Sequence, residues 1–466
     1  MPLPVPIGHQ SEVVCLPTKG HYVILGTAGS GKTTMAILRA AYLSDPGLSG
    51  NGPTLLLTYN TALAKYIRSL AKDVLNQVNV MHYHQFAKEI LIAKGCRWAL
   101  LGSDQRDALL RKAVAIGSTK NPGSPVFKWP YEVFSDELTW ISQQGITSKE
   151  SYVQVQRSGR ATVRLLRVHR PVVWEVYETY LRMRTELGKD YDLDDLPSFV
   201  TQLLESKGQS SHYKHIILDE GQDLSPVMVR SLARALAPEG SLSFFGDYAQ
   251  QIYGRCLSWR AIGLTITKQE RQIWEFKENY RNSKEIAHLA LAIATMPYFR
   301  EVADMVAPNE PRAEGPKPTL VQFPSQDQEM RAVVTKALRL AETGTTVILL
   351  RGEALGQYSG LLQNQAYHLK GDVETPHRQA GLFYGTYHSA KGLEFDTVFL
   401  PQLSATDFPK AEDTALYGEE EATSNDGRLL YVGVTRARSN LILTYSGEKS
   451  WMLPEDESLY TSKVVK

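Results

Sequence analysis

Gly26-Thr27-Ala28-Gly29-Ser30-Gly31-Lys32-Thr33-Thr34 fits the pattern G-x-x-x-x-G-K-[ST] at every fixed position. The residues before it, His21 to Leu25, form the short apolar run of a buried parallel strand, and Met35 to Leu43 after it has helical character. Such a loop needs glycines because its backbone must wrap a phosphate closely, turning several N–H groups inward while the next helix offers its positive end. The pattern predicts that Lys32 reaches the β and γ phosphates of a nucleoside triphosphate and that the Thr33 hydroxyl is a Mg²⁺ ligand. Alone, the loop specifies only triphosphate binding.

Working outward, 466 residues suggest two or three domains with room for real cores. With 51 Lys and Arg against 50 Asp and Glu, net charge does not announce a nucleic-acid partner, so a binding track must come from local clustering. Cys15, Cys96 and Cys256 lie far apart, which argues against a disulfide framework, a zinc site or an iron–sulfur cluster and fits a reducing cytoplasm. No apolar stretch approaches a membrane span, and prolines in Met1–Gln10 break any signal-peptide pattern, so neither secretion nor insertion is expected.

Leu55 to Asn60, followed by Ala62, Leu63, Ala64, Ile67 and Leu70, predicts a second strand and helix of parallel α/β type. Thr58, Tyr59 and Asn60 would then stand at the carboxyl edge of the sheet, where ligands bind in such folds; a plain strand-to-helix turn with an Asn cap fits equally. His82-Tyr83-His84-Gln85-Phe86 is read as a polar loop facing a ligand, since carboxylate or cysteine partners for a metal are missing nearby. Between about 94 and 188, with Trp98, Trp129, Trp140 and Trp174 and few strand-like runs, the pattern predicts a mainly helical insertion. It holds the densest basic cluster, Arg157, Arg160, Arg164, Arg167, His169 and Arg170. Arginines there suit phosphate contacts, while leucines beside Arg164 and Arg167 suit a solvated helix face.

Farther on, His215 to Leu218 is an apolar strand that runs into Asp219-Glu220-Gly221-Gln222-Asp223. A nucleotide hydrolase needs one carboxylate for the Mg²⁺ shell, here Asp219, and a second to orient or deprotonate the attacking water, here Glu220. Leu242 to Phe245 forms another strand, ending in Gly246-Asp247-Tyr248-Ala249-Gln250-Gln251, and a glutamine such as Gln250 can hydrogen-bond a γ phosphate without adding charge.

These segments, followed by Glu278-Asn279-Tyr280-Arg281-Asn282-Ser283, Thr386 to Phe395 (TYHSAKGLEF) and Arg428 to Arg438 (RLLYVGVTRAR), resemble in order the six motifs of superfamily 1 DNA helicases of the UvrD/Rep type. The resemblance implies two RecA-like parallel-sheet domains with a mainly helical insertion in the first, at 1–93 and 189–276, 94–188 and 277–466. ATP would lie between the two RecA-like units, with single-stranded DNA or a single/double-strand junction across their tops. By motif, Tyr280 would stack on adenine, Arg281 and Arg436 would reach the γ phosphate across the cleft, Glu394 would contact the ribose, and Gln10 is the candidate for reading the base. His388 in the fifth motif, together with Thr58, Asn60, His82, His84, Tyr253, Arg255, Arg160 and Arg164, would face the strand. The third motif departs from the family pattern, reading Ile252-Tyr253-Gly254-Arg255-Cys256 without the stacking tryptophan, so Tyr253, Trp259, Tyr59 or His84 would supply the π face. The interval between Ala294 and Leu382 predicts a minimal second insertion, and the short tail after Ser446 leaves no room for an appended nuclease domain. Two readings follow: a translocase or helicase running 3′ to 5′, and a DNA-stimulated ATPase serving a partner such as a nuclease in repair or phage defence. A catalytically dead strand binder is disfavoured by intact Lys32, Asp219, Glu220, Gln250, Arg281 and Arg436.

Overall fold

The computed structural model describes residues 5–58, 61–71, 74–155, 165–206, 212–247, 259, 262–266, 272–299, 311, 313–369 and 380–465. A short helix, α1 (His9–Val14), leads into β1 (Gly20–Gly26), α2 (Lys32–Ser44), β2 (Thr54–Thr58), α3 (Thr61–Leu70), β3 (Val78–His82) and α4 (Tyr83–Ala93). After the insertion come α9 (Leu196–Glu205), β4 (Tyr213–Leu218), α10 (Pro226–Ala235), β5 (Leu236–Gly246) and β6 (Ile273–Phe276), the insertion itself holding α5 (Ser103–Lys120), α6 (Tyr131–Gln144), α7 (Lys149–Gln154) and α8 (Arg170–Glu186). The first sheet has the order β3-β2-β4-β5-β1-β6, and its pairings are parallel.

Strand period two explains why both faces of this sheet are covered. Val23, Leu25, Leu55, Leu57, Ile216 and Leu218 point to one side, into a core with Phe86, Ile90 and Leu232. Their neighbours Tyr22, Ile24, Leu56 and Ile217 point to the other, against Met35, Ile37 and Ala40 of α2. Parallel strands buried on both faces read as unbroken apolar runs, which is the pattern of residues 55–57 and 216–218. The carboxyl ends of β1 and β4 therefore emerge on the same edge of a rigid slab, with β5 between them.

In the insertion, α5, α6, α7 and α8 enclose their own core of Leu110, Phe134, Trp140, Ile141, Tyr152, Trp174 and Tyr177. Trp98 is exposed, so not every tryptophan of this stretch marks the core. A polar latch joins it to the segment before α9: Arg184 reaches Asp195 at 2.6 Å, Arg106 reaches Asp194 at 3.2 Å, and Tyr180 donates to Asp192 at 2.5 Å. Arg170, part of a basic cluster that suited either phosphate contacts or a solvated helix face, does neither: it is buried and donates to the carbonyls of Tyr152, Val153 and Val155. Those carbonyls end α7, and satisfying them with a cation is a structural task.

The second half supplies α11 (Lys284–Ala294), β7 (Thr319–Phe323), α12 (Gln326–Leu340), β8 (Thr345–Leu350), α13 (Leu355–Leu362), β9 (Tyr367–His368), β10 (Gly381–Thr386), β11 (Phe395–Leu400), α14 (Ala411–Tyr417), α15 (Glu419–Val434), β12 (Ala437–Ser446) and β13 (Thr461–Val464). They build a second parallel sheet of order β13-β7-β12-β11-β8-β10-β9. Val347 and Leu349 face one core and Ile348 and Leu350 the other, repeating the logic of the first sheet. Among the described residues no helix is long and apolar enough to cross a membrane.

Candidate nucleotide site between the two sheets

β1 ends at Gly26 and α2 starts at Lys32, so the loop between them sits at the carboxyl edge of the first sheet. Gly29 and Gly31 have φ of 75° and 84°, the left-handed region that only glycine enters freely. At Gly29 space is decisive too, because a Cβ would lie 2.5 Å from both Arg281 Cβ and Asn279 Oδ1. Thr27, Ala28 and Ser30 are buried, and the Thr27 and Ser30 hydroxyls have no hydrogen-bond partner among the described residues. Thr33 and Thr34 fall in the first turn of α2, where free backbone N–H groups and the helix dipole favour an anion. The Lys32 ammonium donates to the carbonyls of Gly26 and Thr27 at 2.9 and 2.7 Å and stands 3.9 Å from Asp247. Burial pulls its pKa down against the nearby carboxylates.

Asp219 follows directly on β4, fully buried, with neither carboxylate oxygen hydrogen-bonded. Burial and the adjacent Glu220 charge push its pKa up; the Thr33 hydroxyl opposes this, short of hydrogen-bond geometry. Burial also raises Glu220, but Lys391, Lys32, the Gln222 amide and Arg436 outweigh it and hold that carboxyl below its ordinary value. Glu220 has the left-handed backbone angles φ 52° and ψ 39°, a strained state for a non-glycine that recurs at functional sites. Two adjacent carboxyls thus differ in kind: Glu220 is held ionised by its cations, whereas at Asp219 burial and the Glu220 charge outweigh Lys32 and Thr33. An orphaned carboxylate beside a threonine hydroxyl fits a hard cation that completes its shell with phosphate and water oxygens. Among the described residues, no group of three or more His, Cys, Asp or Glu could hold a metal by itself.

The second sheet comes directly against this loop. Tyr280 N–H donates to Gly29 O at 2.9 Å while its side chain stays exposed. Asn279 Oδ1 accepts from the backbone N–H of Arg281 and Asn282, and Asn282 Nδ2 donates to Ala437 O at 2.5 Å, so this turn is fastened to the start of β12. Arg281 Nε meets Glu394 Oε2 at 2.7 Å, and Arg438 also pairs with Glu394. Despite burial, these two guanidinium groups hold the Glu394 carboxyl at about 2. Arg436, completely buried, donates to Val432 O, Leu393 O and Thr435 Oγ1, and burial brings its pKa to about 10. Gln10, on α1, places its amide 3.3 Å from Ser30 O.

Along the carboxyl edge of the first sheet, Thr58 and His82 are register partners on β2 and β3. Thr58 is buried with an unbonded hydroxyl. The segment expected to be a polar loop is not one: β3 passes straight into α4, with His82 ending the strand and His84 in the first helical turn. Tyr83 and Phe86 explain this, since their burial in the core demands helical spacing. Burial lowers the pKa of His82 and takes His84 to about 4, so both rings are neutral at pH 7. His388 is exposed just beyond β10. Asn60, Gln250, Tyr253, Arg255, Arg160 and Arg164 lie outside the described residues.

Three side chains inside the quoted motifs went without a role at the sequence level. Gln222 is buried, donates to Glu220 Oε2 at 2.5 Å and accepts from Asp247 N–H at 3.0 Å, so it links the two acidic strand ends. Asp223 and Lys391 form an ion pair of 2.5 Å between the two sheets, both nearly inaccessible. Charged residues of opposite sign inside two of the quoted motifs were the available signal, but only the tertiary structure pairs them.

Two parallel sheets that share a phosphate loop, an acidic strand end and facing arginines define the class of two-sheet P-loop nucleoside triphosphatases. Residues 8–272 match the family described as UvrD/REP helicase N-terminal domain, and residues 372–448 match the UvrD-like helicase C-terminal domain. The chain belongs to the UvrD/Rep helicase family and, at the level of that family, is an ATP-dependent DNA helicase. It is similar to the ATP-dependent DNA helicase UvrD2 of Mycobacterium tuberculosis, at 22% identity over 96% of this chain and 80% of the relative. A probable DNA helicase of Mycoplasma pneumoniae is 25% identical over 97% of this chain and 87% of its own length. DNA helicase IV of Escherichia coli is 21% identical over 91% and 66% respectively.

Proposed function

We propose that the protein is a motor that hydrolyses ATP between its two sheets and moves 3′ to 5′ along single-stranded DNA, unwinding duplex at a junction. The observation that carries this reading is the apposition of motifs carried by the two sheets: Lys391, beyond β10, on Asp223, beyond β4. Catalytic groups drawn from two rigid bodies make hydrolysis competence depend on closure, which converts ATP turnover into relative motion.

In this proposal the loop from Gly26 to Thr34 cradles the phosphates, and Lys32 turns from its carbonyl partners toward the β and γ oxygens. Asp219 and Thr33 would hold Mg²⁺, which would neutralise charge on the phosphate oxygens. Glu220, kept ionised by its cationic neighbours, accepts a proton from the attacking water, and Gln222 fixes its orientation. Gln250, Arg281 and Arg436 stabilise the γ phosphoryl group, Tyr280 stacks on adenine, Gln10 reads its edge and Glu394 meets the ribose. Thr58, Asn60, His82, His84, Tyr253, Arg255, Arg160, Arg164 and His388 face the strand, neutral rings at His82 and His84 suiting base stacking. We assign 1–93 and 189–276 to the first motor domain, 94–188 to the insertion and 277–466 to the second domain, and place the protein in the cytoplasm.

Forked substrates with a single 3′ or 5′ tail test this reading. Unwinding of the 3′-tailed fork alone, lost in Lys32→Ala and Glu220→Gln, is expected. Unwinding from 5′ tails overturns the polarity. Strand-stimulated hydrolysis without unwinding, restored by a copurifying nuclease or other effector, replaces the autonomous motor with an ATPase subunit.

A further inference from the structure

Arg39 lies two turns beyond Lys32 on α2 and is completely buried. Its partners are not a carboxylate but a set of backbone oxygens. Nη1 donates to Val14 O at 3.1 Å, to Leu16 O at 3.0 Å and, at 3.4 Å, to Val13 O, while Nη2 donates to Pro17 O at 3.1 Å. Nε donates to Ser243 Oγ at 2.7 Å, and the guanidinium lies 5.3 Å from the centre of the Tyr22 ring. Burial lowers the pKa to about 10, so the group remains a cation at neutral pH. A charge taken out of water at this cost needs a full set of acceptors, and the structure supplies most of them from the last residues of α1 and the segment that follows it, with Ser243 of β5 completing the set.

The location matters because α1 has little else to hold it. It is six residues long, and Val13 is its one buried side chain among them. A helix that short is not stable by itself. Ser11 O and Val13 O accept backbone N–H groups at the end of this helix, and a cation there adds a donor to Val13 O and Val14 O and complements the dipole. At the opposite end of the same helix, Gln10 Nε2 touches Ser30 O, and a Cβ on Gly31 would come within 3.3 Å of that nitrogen. Ser243 belongs to β5, whose end carries Asp247 near Lys32. The phosphate-loop helix thus reaches back through Arg39 to grip the helix that lays Gln10 on the phosphate loop.

We propose that Arg39 is a positioning residue for nucleotide selection: by clamping the C-terminal end of α1 it fixes Gln10 at the loop and thereby sets affinity and preference for adenine nucleotides. This rests on the reading of Gln10 as the base contact. A residue that merely stabilises the fold would lower the amount of active protein and so kcat, leaving KM and base preference alone. A positioning residue acts in the opposite sense.

The experiment compares steady-state hydrolysis of ATP and GTP, at saturating single-stranded DNA, by the full chain and by Arg39→Met, Arg39→Lys, Gln10→Ala and the Arg39→Met/Gln10→Ala double variant. Arg39→Met is expected to raise KM for ATP about tenfold with kcat within about threefold, and to reduce the ATP over GTP preference in kcat/KM by a similar factor; a tenfold change is about 1.4 kcal/mol. Gln10→Ala should match it, the double variant should add little, and Arg39→Lys should recover part of the preference. An unchanged preference in Arg39→Met beside a lost preference in Gln10→Ala overturns the role of Arg39 alone. Unchanged preference in Gln10→Ala overturns the base contact and this inference with it. Additive losses in the double variant also overturn the clamp, because two residues acting through one contact cannot add. If Arg39→Met does not fold, Arg39→Lys carries the same comparison, and a preference equal to that of the unaltered chain overturns the proposal.

Discussion

Replacing Asp219 by asparagine should stabilise the metal-free protein at and above neutral pH but not at pH 5. The reason is the orphaned carboxylate at the end of β4: burial and the Glu220 charge raise its pKa from 3.8 to about 7. An acid with a raised folded-state pKa destabilises the fold only where the unfolded chain would ionise it. The penalty is therefore absent below pH 3.8, grows by about 1.4 kcal/mol per pH unit across the interval to about 7 and then levels off near roughly 4 kcal/mol. The new amide brings a buried N–H₂ that costs about 1–3 kcal/mol at every pH. Asp219→Asn should accordingly be no more stable than the unaltered chain at pH 5 and about 1–3 kcal/mol more stable at pH 8, measured by urea denaturation in EDTA. Mg²⁺ with a nonhydrolysable ATP analogue should then stabilise the unaltered chain much more than the variant. A stability difference that does not change between pH 5 and pH 8 refutes the reasoning, as does equal stabilisation of both proteins by Mg²⁺ and analogue.

Other perturbations probe different parts of the molecule. Asp223→Ala removes the carboxylate paired with Lys391 while leaving the Glu220 charge nearby; it should cost about 1.5–3 kcal/mol in coupling between the two sheets and lower strand-stimulated hydrolysis, read by calorimetry and a coupled ATPase assay. Gly29→Ala should remove nucleotide binding in a fluorescent-analogue titration, because its Cβ would stand 2.5 Å from Arg281 Cβ in a backbone conformation with φ 75°. Arg184→Met strips the latch of its 2.6 Å contact with Asp195 and should cost about 3–5 kcal/mol, appearing in limited proteolysis as faster cleavage between insertion and first domain.

The parts of the site that follow one another along the chain were legible in the sequence. Strand, glycine-rich loop and helix around Lys32, and the apolar strand before Asp219, show themselves by period and by residue type, and the structure places both at one sheet edge. Apolar runs of the same kind mark β7 at 319–323 and β8 at 345–350, with α12 between them. What escaped depends on pairing between distant segments. Nothing local distinguishes Arg39, which neutralises helix-end carbonyls in the interior, from an exposed arginine at the same helical spacing. Arg170 was equally illegible, since its basic neighbourhood left phosphate contact and a solvated face both open, whereas its partners are three carbonyls of α7 and its end. The His82 segment was misjudged because its polar residues alternate with Tyr83 and Phe86, and core packing of those rings decided the local structure.

Hydrolysis rate against the length of single-stranded DNA tests the central claim most directly. A motor that closes its two sheets around ATP and steps along a strand should hydrolyse ATP many times faster with DNA than without. The stimulation should rise with oligonucleotide length to a plateau and vanish in Lys32→Ala. A rate indifferent to DNA, or stimulated equally by the shortest oligonucleotide that binds and by the longest, would contradict it.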